Sequence, residues 1–235
     1  MNTRIKAIAF DVFGTVVVWH GGISAEAASV AKRHGIAGDW DRFAADWRAG
    51  YPLAMNRVRK GDLPWTRIDG LHRLILDEIA PRHGLGMLDE AEMQALNLAW
   101  HRLPAWPDSV QGLALLKSAY TITTLSNGNF SLLTEMAKRA GLPWDCVISA
   151  ELFHHYKPDP ETYLGCADLL GIAPDELMLA ACHPEDLRAA RKHGLRTAYI
   201  TRPHEHGKQA RFPEVSQGEF DFFADDIIDL ARKLT

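Results

Sequence analysis

Short apolar runs alternate with amphipathic stretches along this chain, and its polar chemistry is concentrated where the runs stop. The run over 5–10 is mostly apolar, the pattern of a strand buried on both faces of a parallel sheet, and it stops at Asp11-Val12-Phe13-Gly14-Thr15. A second run over 120–125 ends in Ser126-Asn127-Gly128-Asn129, and a third covers 146–149. A fourth over 177–181 leads into Cys182-His183-Pro184-Glu185-Asp186, a fifth covers 197–200, and 220–223 is read as a sixth. Apolar residues at helical spacing fill 24–34, 39–59, 64–82 and 88–102, with Ser24 as the first N-cap and breaks at Gly35, Gly61, Gly84-Leu85-Gly86 and Pro104. No strand pattern interrupts them. Helices are also predicted over 108–118, 130–140, 159–170, up to His193, and over 225–233.

Strands alternating with helices imply right-handed βαβ units, hence an α/β fold whose parallel sheet is covered on both sides. The helical stretch is an insert, so the predicted division is a core of 1–17 with 104–235 and an all-helical module over 18–103. Residues 202–219, rich in Pro, His, Gly and charge, are read as a surface loop.

Composition narrows the function classes. Hydrophobic residues make up 47% and charged residues 24%, with a net charge of −4, so no basic surface for nucleic acid is implied. No apolar run approaches the ~20 residues of a membrane-spanning helix. Met1-Asn2-Thr3-Arg4 leads directly into the first strand, without a signal-peptide pattern. Cys146, Cys166 and Cys182 are odd in number and unpaired in spacing, which fits a reducing cytoplasm and buried thiols. His154, His155, His204 and His206 lack partners at ligand spacing and are read as solvated or structural.

In a parallel sheet the loops after the strands open onto one edge, where ligands bind. Asp11, Ser126 with Asn127, Lys157 and Asp186 all fall there. Each has a plain reading as a turn former, loop cation or first-turn helix charge, but four in order on one edge suggest a site. A carboxylate so placed can act as a covalent nucleophile.

The Asp-x-x-Gly-Thr opening at Asp11, the helical insert, the strand ending in Ser126-Asn127, the Lys157-Pro158-Asp159-Pro160 segment and the late Asp186 together resemble the haloacid dehalogenase superfamily. The resemblance implies a Rossmann-like core with a helical cap over a nucleophilic Asp11. Its phosphatase members carry a second Asp two residues after the nucleophile, where this chain has Phe13, and a Mg²⁺-holding Asp where it has Cys182. A hard cation wants several oxygen ligands, and only Asp11, Asp186 and a doubtful Glu185 are offered. No metal and no cofactor are therefore expected.

The opening resembles instead the type II L-2-haloacid dehalogenases. That branch implies catalytic roles for Asp11, Lys157, Asp186, Arg48 and Asn127, with Val12, Phe13, Thr15, Ser126, Tyr163 and His183 binding substrate or lining the site. Asp11 would displace halide and form an ester, and Arg48 with the Asn127 amide would receive the halide. Ser126 and the backbone N–H groups near Val12 and Phe13 would hold the substrate carboxylate, and Tyr163 would join the Lys157 cluster. Water activated by Asp186, with His183 as relay, would hydrolyse the ester. Ala181 and His183 replace the Ser/Asn-rich motif usual in this loop. The expected partner is a small halogenated carboxylic acid, and the apolar cap helices are compatible with a homodimer. The competing readings are a Mg²⁺-dependent phosphatase, a cofactor-free hydrolase of fluoroacetate or another small carboxylic acid, and a non-enzymatic binding module.

Overall fold

A computed structural model of the chain describes residues 5–216 and 218–234. The leader reading of Met1-Asn2-Thr3-Arg4 lies outside these residues, as does Gln217 within the 202–219 loop. The chain divides into two compact units, Met1–Val18 with Pro104–Thr235, and Trp19–Leu103.

The first unit is built on a five-stranded parallel sheet in the order β2-β1-β3-β4-β5, with β1 Ala7–Phe10, β2 Thr121–Thr124, β3 Leu177–Ala181, β4 Arg196–Ile200 and β5 Phe222–Ala224. β1 is flanked on both edges and fully buried, which is why its sequence is continuous in apolar residues rather than alternating. Phe10 stands level with Thr124 on one side and Ala180 on the other, so β1, β2 and β3 end together. The ladder runs one step further: the Asp11 N–H donates to Ala180 O at 3.0 Å and the Leu125 N–H to Phe10 O at 2.8 Å.

The expected third strand over 146–149 is not a strand. Beside β2 it keeps only single bridges, Thr123 with Cys146 and Ser126 with Ser149. Threonine hydroxyls take over part of the ladder: Thr124 Oγ1 accepts from the Ile148 N–H at 3.0 Å and donates to Ile148 O at 2.8 Å. A side chain inserted between the backbones satisfies their polar groups and holds them apart.

Helices Ser109–Lys117 (α1), Phe130–Ala140 (α2), Pro160–Leu169 (α3), Pro184–Lys192 (α4) and Ile227–Leu234 (α5) complete this unit. The 202–219 segment is not simply a surface loop. Arg202 and Asp108 form a bidentate pair at 2.8 and 2.7 Å, and Glu205 is buried.

In the second unit, among the described residues, the regular elements are helices: Trp19–Arg33 (α6), Trp40–Arg59 (α7), Ile68–Ile79 (α8) and Glu90–Asn97 (α9), with short 3-10 turns after the last two. α6 starts five residues before the expected Ser24 cap, and Ser24 Oγ instead donates to Asp41 at 2.7 Å. α7 starts where the pattern placed it, because the Asp39 side chain accepts from the Arg42 N–H at 2.9 Å. The core of this unit is aromatic, with Trp19, Trp47, Trp100 and Phe43 fully buried. Trp47 and Trp100 are therefore core residues. No helix among the described residues is long and apolar enough to cross a membrane.

Candidate active site

The shared end of β1, β2 and β3 brings together side chains distant in the chain. Asp11, 7% exposed, has both carboxylate oxygens engaged. Lys157 Nζ donates to Oδ1 at 3.0 Å, the Thr15 hydroxyl donates to Oδ2 at 2.9 Å, and His183 Nδ1 lies 3.0 Å from Oδ2. Lys157 also pairs with Asp186 Oδ2, whose other oxygen accepts from the Tyr163 hydroxyl at 2.7 Å. One ammonium thus sits between two carboxylates.

The supports explain the placement. Lys157 is fixed through its backbone: its N–H donates to Asn127 Oδ1 at 2.7 Å, and Asn127 Nδ2 meets Lys157 O at 3.5 Å. Tyr163 projects from the first turns of α3 and stacks on His193, with ring centroids 5.6 Å apart. His183 precedes α4, whose fixed start at Pro184 carries Asp186 in its first turn. Gly128 lets the turn after β2 approach the Phe13 ring, which a Cβ there would meet at 3.1 Å.

Charge follows from this geometry. Burial alone would raise the Asp11 carboxyl, but the Lys157 ammonium and the His183 hydrogen bond outweigh it and hold Asp11 well below the usual carboxylate range. Burial disfavours the Lys157 charge, yet Asp11 and Asp186 raise its pKa above the ordinary lysine value. Burial likewise opposes a charged His183, while the Cys182 sulfur and the hydrogen bonds to Asp11 and Glu205 push it well above an ordinary imidazole. Asp11 is therefore a desolvated, ionised carboxylate, the form a nucleophile requires.

Two expected site residues also have local structural partners. Asn127 holds the Lys157 backbone through Oδ1, and its Nδ2 lies 3.5 Å from Lys157 O. Ser126 Oγ is fully buried and accepts from the Gly128 N–H at 3.2 Å, so it shapes the turn after β2. Thr15 does more than line the site, since it donates to Asp11 and accepts from the Cys182 N–H at 3.0 Å. Val12 and Phe13 are buried next to Asp11, and the Val12 carbonyl accepts from Val16 and Val17 in the turn. Glu185 is 85% exposed and pairs with Arg188, away from this cluster.

Arg48 belongs to the helical unit. On α7 its guanidinium stands over the Tyr51 and Trp19 rings at 4.7 and 5.6 Å. Near it His72 is fully buried with neither ring nitrogen hydrogen-bonded, and burial lowers its pKa to about 3.

Glu205 escaped the sequence reading. It is 6% exposed and its Oε1 lies 2.9 Å from His183 Nε2, making an Asp11–His183–Glu205 chain. Its one signal was Gly14, whose φ of +86° and closeness to the Glu205 carboxylate leave no room for a Cβ. Cys182 Sγ completes the cluster, 3.6 Å from both His183 Nε2 and Glu205 Oε2.

Known proteins share this architecture. The chain is similar to a solved defluorinating L-2-haloacid dehalogenase, at 45% identity and a TM-score of 0.94 over 98% of this chain and 95% of the other. A second solved L-2-haloacid dehalogenase is 43% identical, with a TM-score of 0.90 over 98% of this chain and all of its own (100%). The (S)-2-haloacid dehalogenase 4A of Burkholderia cepacia is 29% identical over 215 residues, 86% of this chain and 85% of the relative. The model of the haloacid dehalogenase-like hydrolases matches residues 5–194, from the strand that delivers Asp11 to the end of the helix after His183, and the chain belongs to that family.

Proposed function

We propose that this protein hydrolyses short 2-haloalkanoic acids to 2-hydroxy acids in the cytoplasm, through an ester on Asp11. The observation that carries the reading is the state of Asp11: buried, ionised, and paired with the Lys157 ammonium, with few oxygen ligands beside it to hold a hard cation. Such a carboxylate suits displacement at carbon. A phosphoryl group, with charge spread over its oxygens, calls for a metal clamp and a second acid, and Cys182 and Phe13 stand in those places.

Asp11 attacks the carbon bearing halogen, the C–O bond forms as the C–X bond breaks, and halide leaves with the bonding pair. Lys157, held by Asp186 and Tyr163, keeps the attacking oxygen ionised. Arg48 is the halide acceptor in this reading, by the resemblance of Trp47-Arg48 to the branch's cap arginine. Esterification removes the carboxylate whose hydrogen bond helps keep His183 protonated, so the imidazole releases that proton to solvent and stands neutral, able to accept another, when the ester is hydrolysed. Water near Asp186 then attacks the ester carbonyl, its proton passing to His183 with Glu205 behind it. The similarity to a defluorinating enzyme extends the expected substrates to fluoroacetate.

The test is halide release from L-2-chloropropionate, bromoacetate and fluoroacetate in EDTA, with Asp11→Asn as control. Release by the parent alone, with a transient mass increase on the Asp11 peptide, supports the reading. Mg²⁺-dependent cleavage of a phosphate ester, with no halide from any acid, replaces it with a phosphatase.

A further inference from the structure

The end of β3 holds a donor set that the proposed chemistry uses only in part. Cys182 Sγ, His183 Nε2 and the Glu205 carboxylate converge, with Sγ 3.6 Å from Nε2, Sγ 3.6 Å from Oε2, and Nε2 2.9 Å from Oε1. Among the described residues they form the single group of three His, Cys, Asp or Glu side chains whose ligand atoms all lie within 4.8 Å of one another.

We infer that Cys182, His183 and Glu205 form a binding site for one thiophilic divalent cation of the zinc class. Donor chemistry is the first argument. Sulfur, imidazole and carboxylate together suit Zn²⁺ and its soft relatives, whereas Mg²⁺ wants oxygen alone. The departure that spoils the hard-cation site, Cys182, is what builds this one.

Geometry is the second. Tetrahedral zinc, with bonds of about 2.3 Å to sulfur and about 2.0 Å to nitrogen or oxygen, separates sulfur from its neighbours by about 3.5 Å and nitrogen from oxygen by about 3.3 Å. Sγ stands at that span from Nε2 and from Oε2, while Nε2 faces the other carboxylate oxygen, Oε1, so the Glu205 carboxylate has only to rotate to present one oxygen to the ion. Three protein ligands leave a fourth position for water.

The outer contacts fit too. His183 Nδ1 faces Asp11 Oδ2 at 3.0 Å, the carboxylate–histidine arrangement that orients a ligating imidazole. Thr15 Oγ1 accepts the Cys182 N–H at 3.0 Å and lies 3.4 Å from Sγ, fixing the sulfur. Cys182 is 3% exposed, while the His183 side chain keeps 30%, which gives an ion its way in. Loading forms three metal–ligand bonds and releases the thiol proton, and any proton on Nε2, to solvent. A loaded site occupies the nitrogen and carboxylate that would take the water proton, so the metal inhibits ester hydrolysis; that consequence rests on the dehalogenase reading, whereas binding does not.

Chelator-treated protein is titrated with Co²⁺ and, against a chromophoric chelator, with Zn²⁺. The expected result is one equivalent per chain, a near-ultraviolet thiolate-to-cobalt band, and its bleaching by Zn²⁺. Cys182→Ala abolishes the band, and Glu205→Gln keeps it while weakening Zn²⁺ binding about 10-fold or more. Circular dichroism checks each fold, and Cys182→Ser serves if the alanine variant does not fold. No thiolate band in the parent, or equal Zn²⁺ affinity in the parent and the cysteine variants, overturns the site. Halide release is read separately: Zn²⁺ slows the parent and EDTA restores it, while the cysteine variant, measured against its own metal-free rate, is unaffected. If no 2-haloacid releases halide at all, the functional reading fails and the binding data still decide the site.

Discussion

His183 Nε2 lies 2.9 Å from Glu205 Oε1, while Nδ1 of the same ring lies 3.0 Å from Asp11 Oδ2. One imidazole therefore connects the nucleophile to a second buried carboxylate, across a sequence separation of 194 residues between Asp11 and Glu205 (205 − 11). A general base contributes ~10²–10⁴ in rate, and its orienting partner a fraction of that.

Glu205→Gln is expected to leave the first halide release nearly intact and to slow turnover by roughly 10- to 100-fold, so that ester accumulates. Rapid quench with mass analysis of the Asp11 peptide measures both steps. Equal slowing of the two steps would remove Glu205 from the hydrolytic half of the reaction.

Lys157 sits at 7% side-chain exposure between Asp11 and Asp186, at 10% and 11%. Removing one partner of a buried pair typically costs about 3–5 kcal/mol, so Lys157→Met should lower the urea midpoint substantially. Two buried carboxylates without their cation will also retain a proton. Halide release by Lys157→Met should consequently gain an acid limb that the parent, with Asp11 held low, does not show. An unchanged pH profile in a folded variant would contradict the charge assignment.

Much of this was legible in the sequence, for identifiable reasons. β1 is the central strand, so its apolar continuity and its abrupt stop at Asp11 both survive folding. Lys157, Tyr163 and Asp186 could be placed because each lies within a short distance of a strand end or helix start. The 146–149 segment misled because its pattern is that of a strand, while the hydroxyl of Thr124, on another element, takes its hydrogen bonds. Glu205 was hidden because no periodicity marks a loop, and one buried carboxylate in a polar segment looks like its solvated neighbours. Ser126 and Asn127 were found as a pair, but spacing does not say which backbone groups they satisfy.

The charge network predicts opposite pH dependences of stability. Asp11 has a depressed pKa in the fold, so its contribution is present above the ordinary value of 3.8 and fades as pH falls through the folded value. His183 has a raised pKa, so its contribution is full below 6.5 and is lost as pH rises through its folded value. Thermal midpoints from pH 6 upward should therefore fall more steeply for the parent than for His183→Gln. Parallel curves would show that His183 carries no extra proton in the fold.

Gly14 offers the sharpest test of how the loop containing Glu205 serves the site. Its φ of +86° lies where side chains are strained, and an added Cβ would run into the Glu205 carboxylate. Gly14→Ala should cost about 1–3 kcal/mol in stability from backbone strain alone. If the glycine exists to admit Glu205, the variant should also show the ester accumulation expected of Glu205→Gln. In a Glu205→Ala background the obstruction is gone, so adding Gly14→Ala should leave ester hydrolysis where Glu205→Ala put it while the strain penalty persists. Non-additive kinetics with near-additive stability would tie the turn after β1 to the carboxylate behind His183. Kinetic effects that simply add would mean that Gly14 answers to the turn alone, and that the contact with Glu205 is incidental to catalysis.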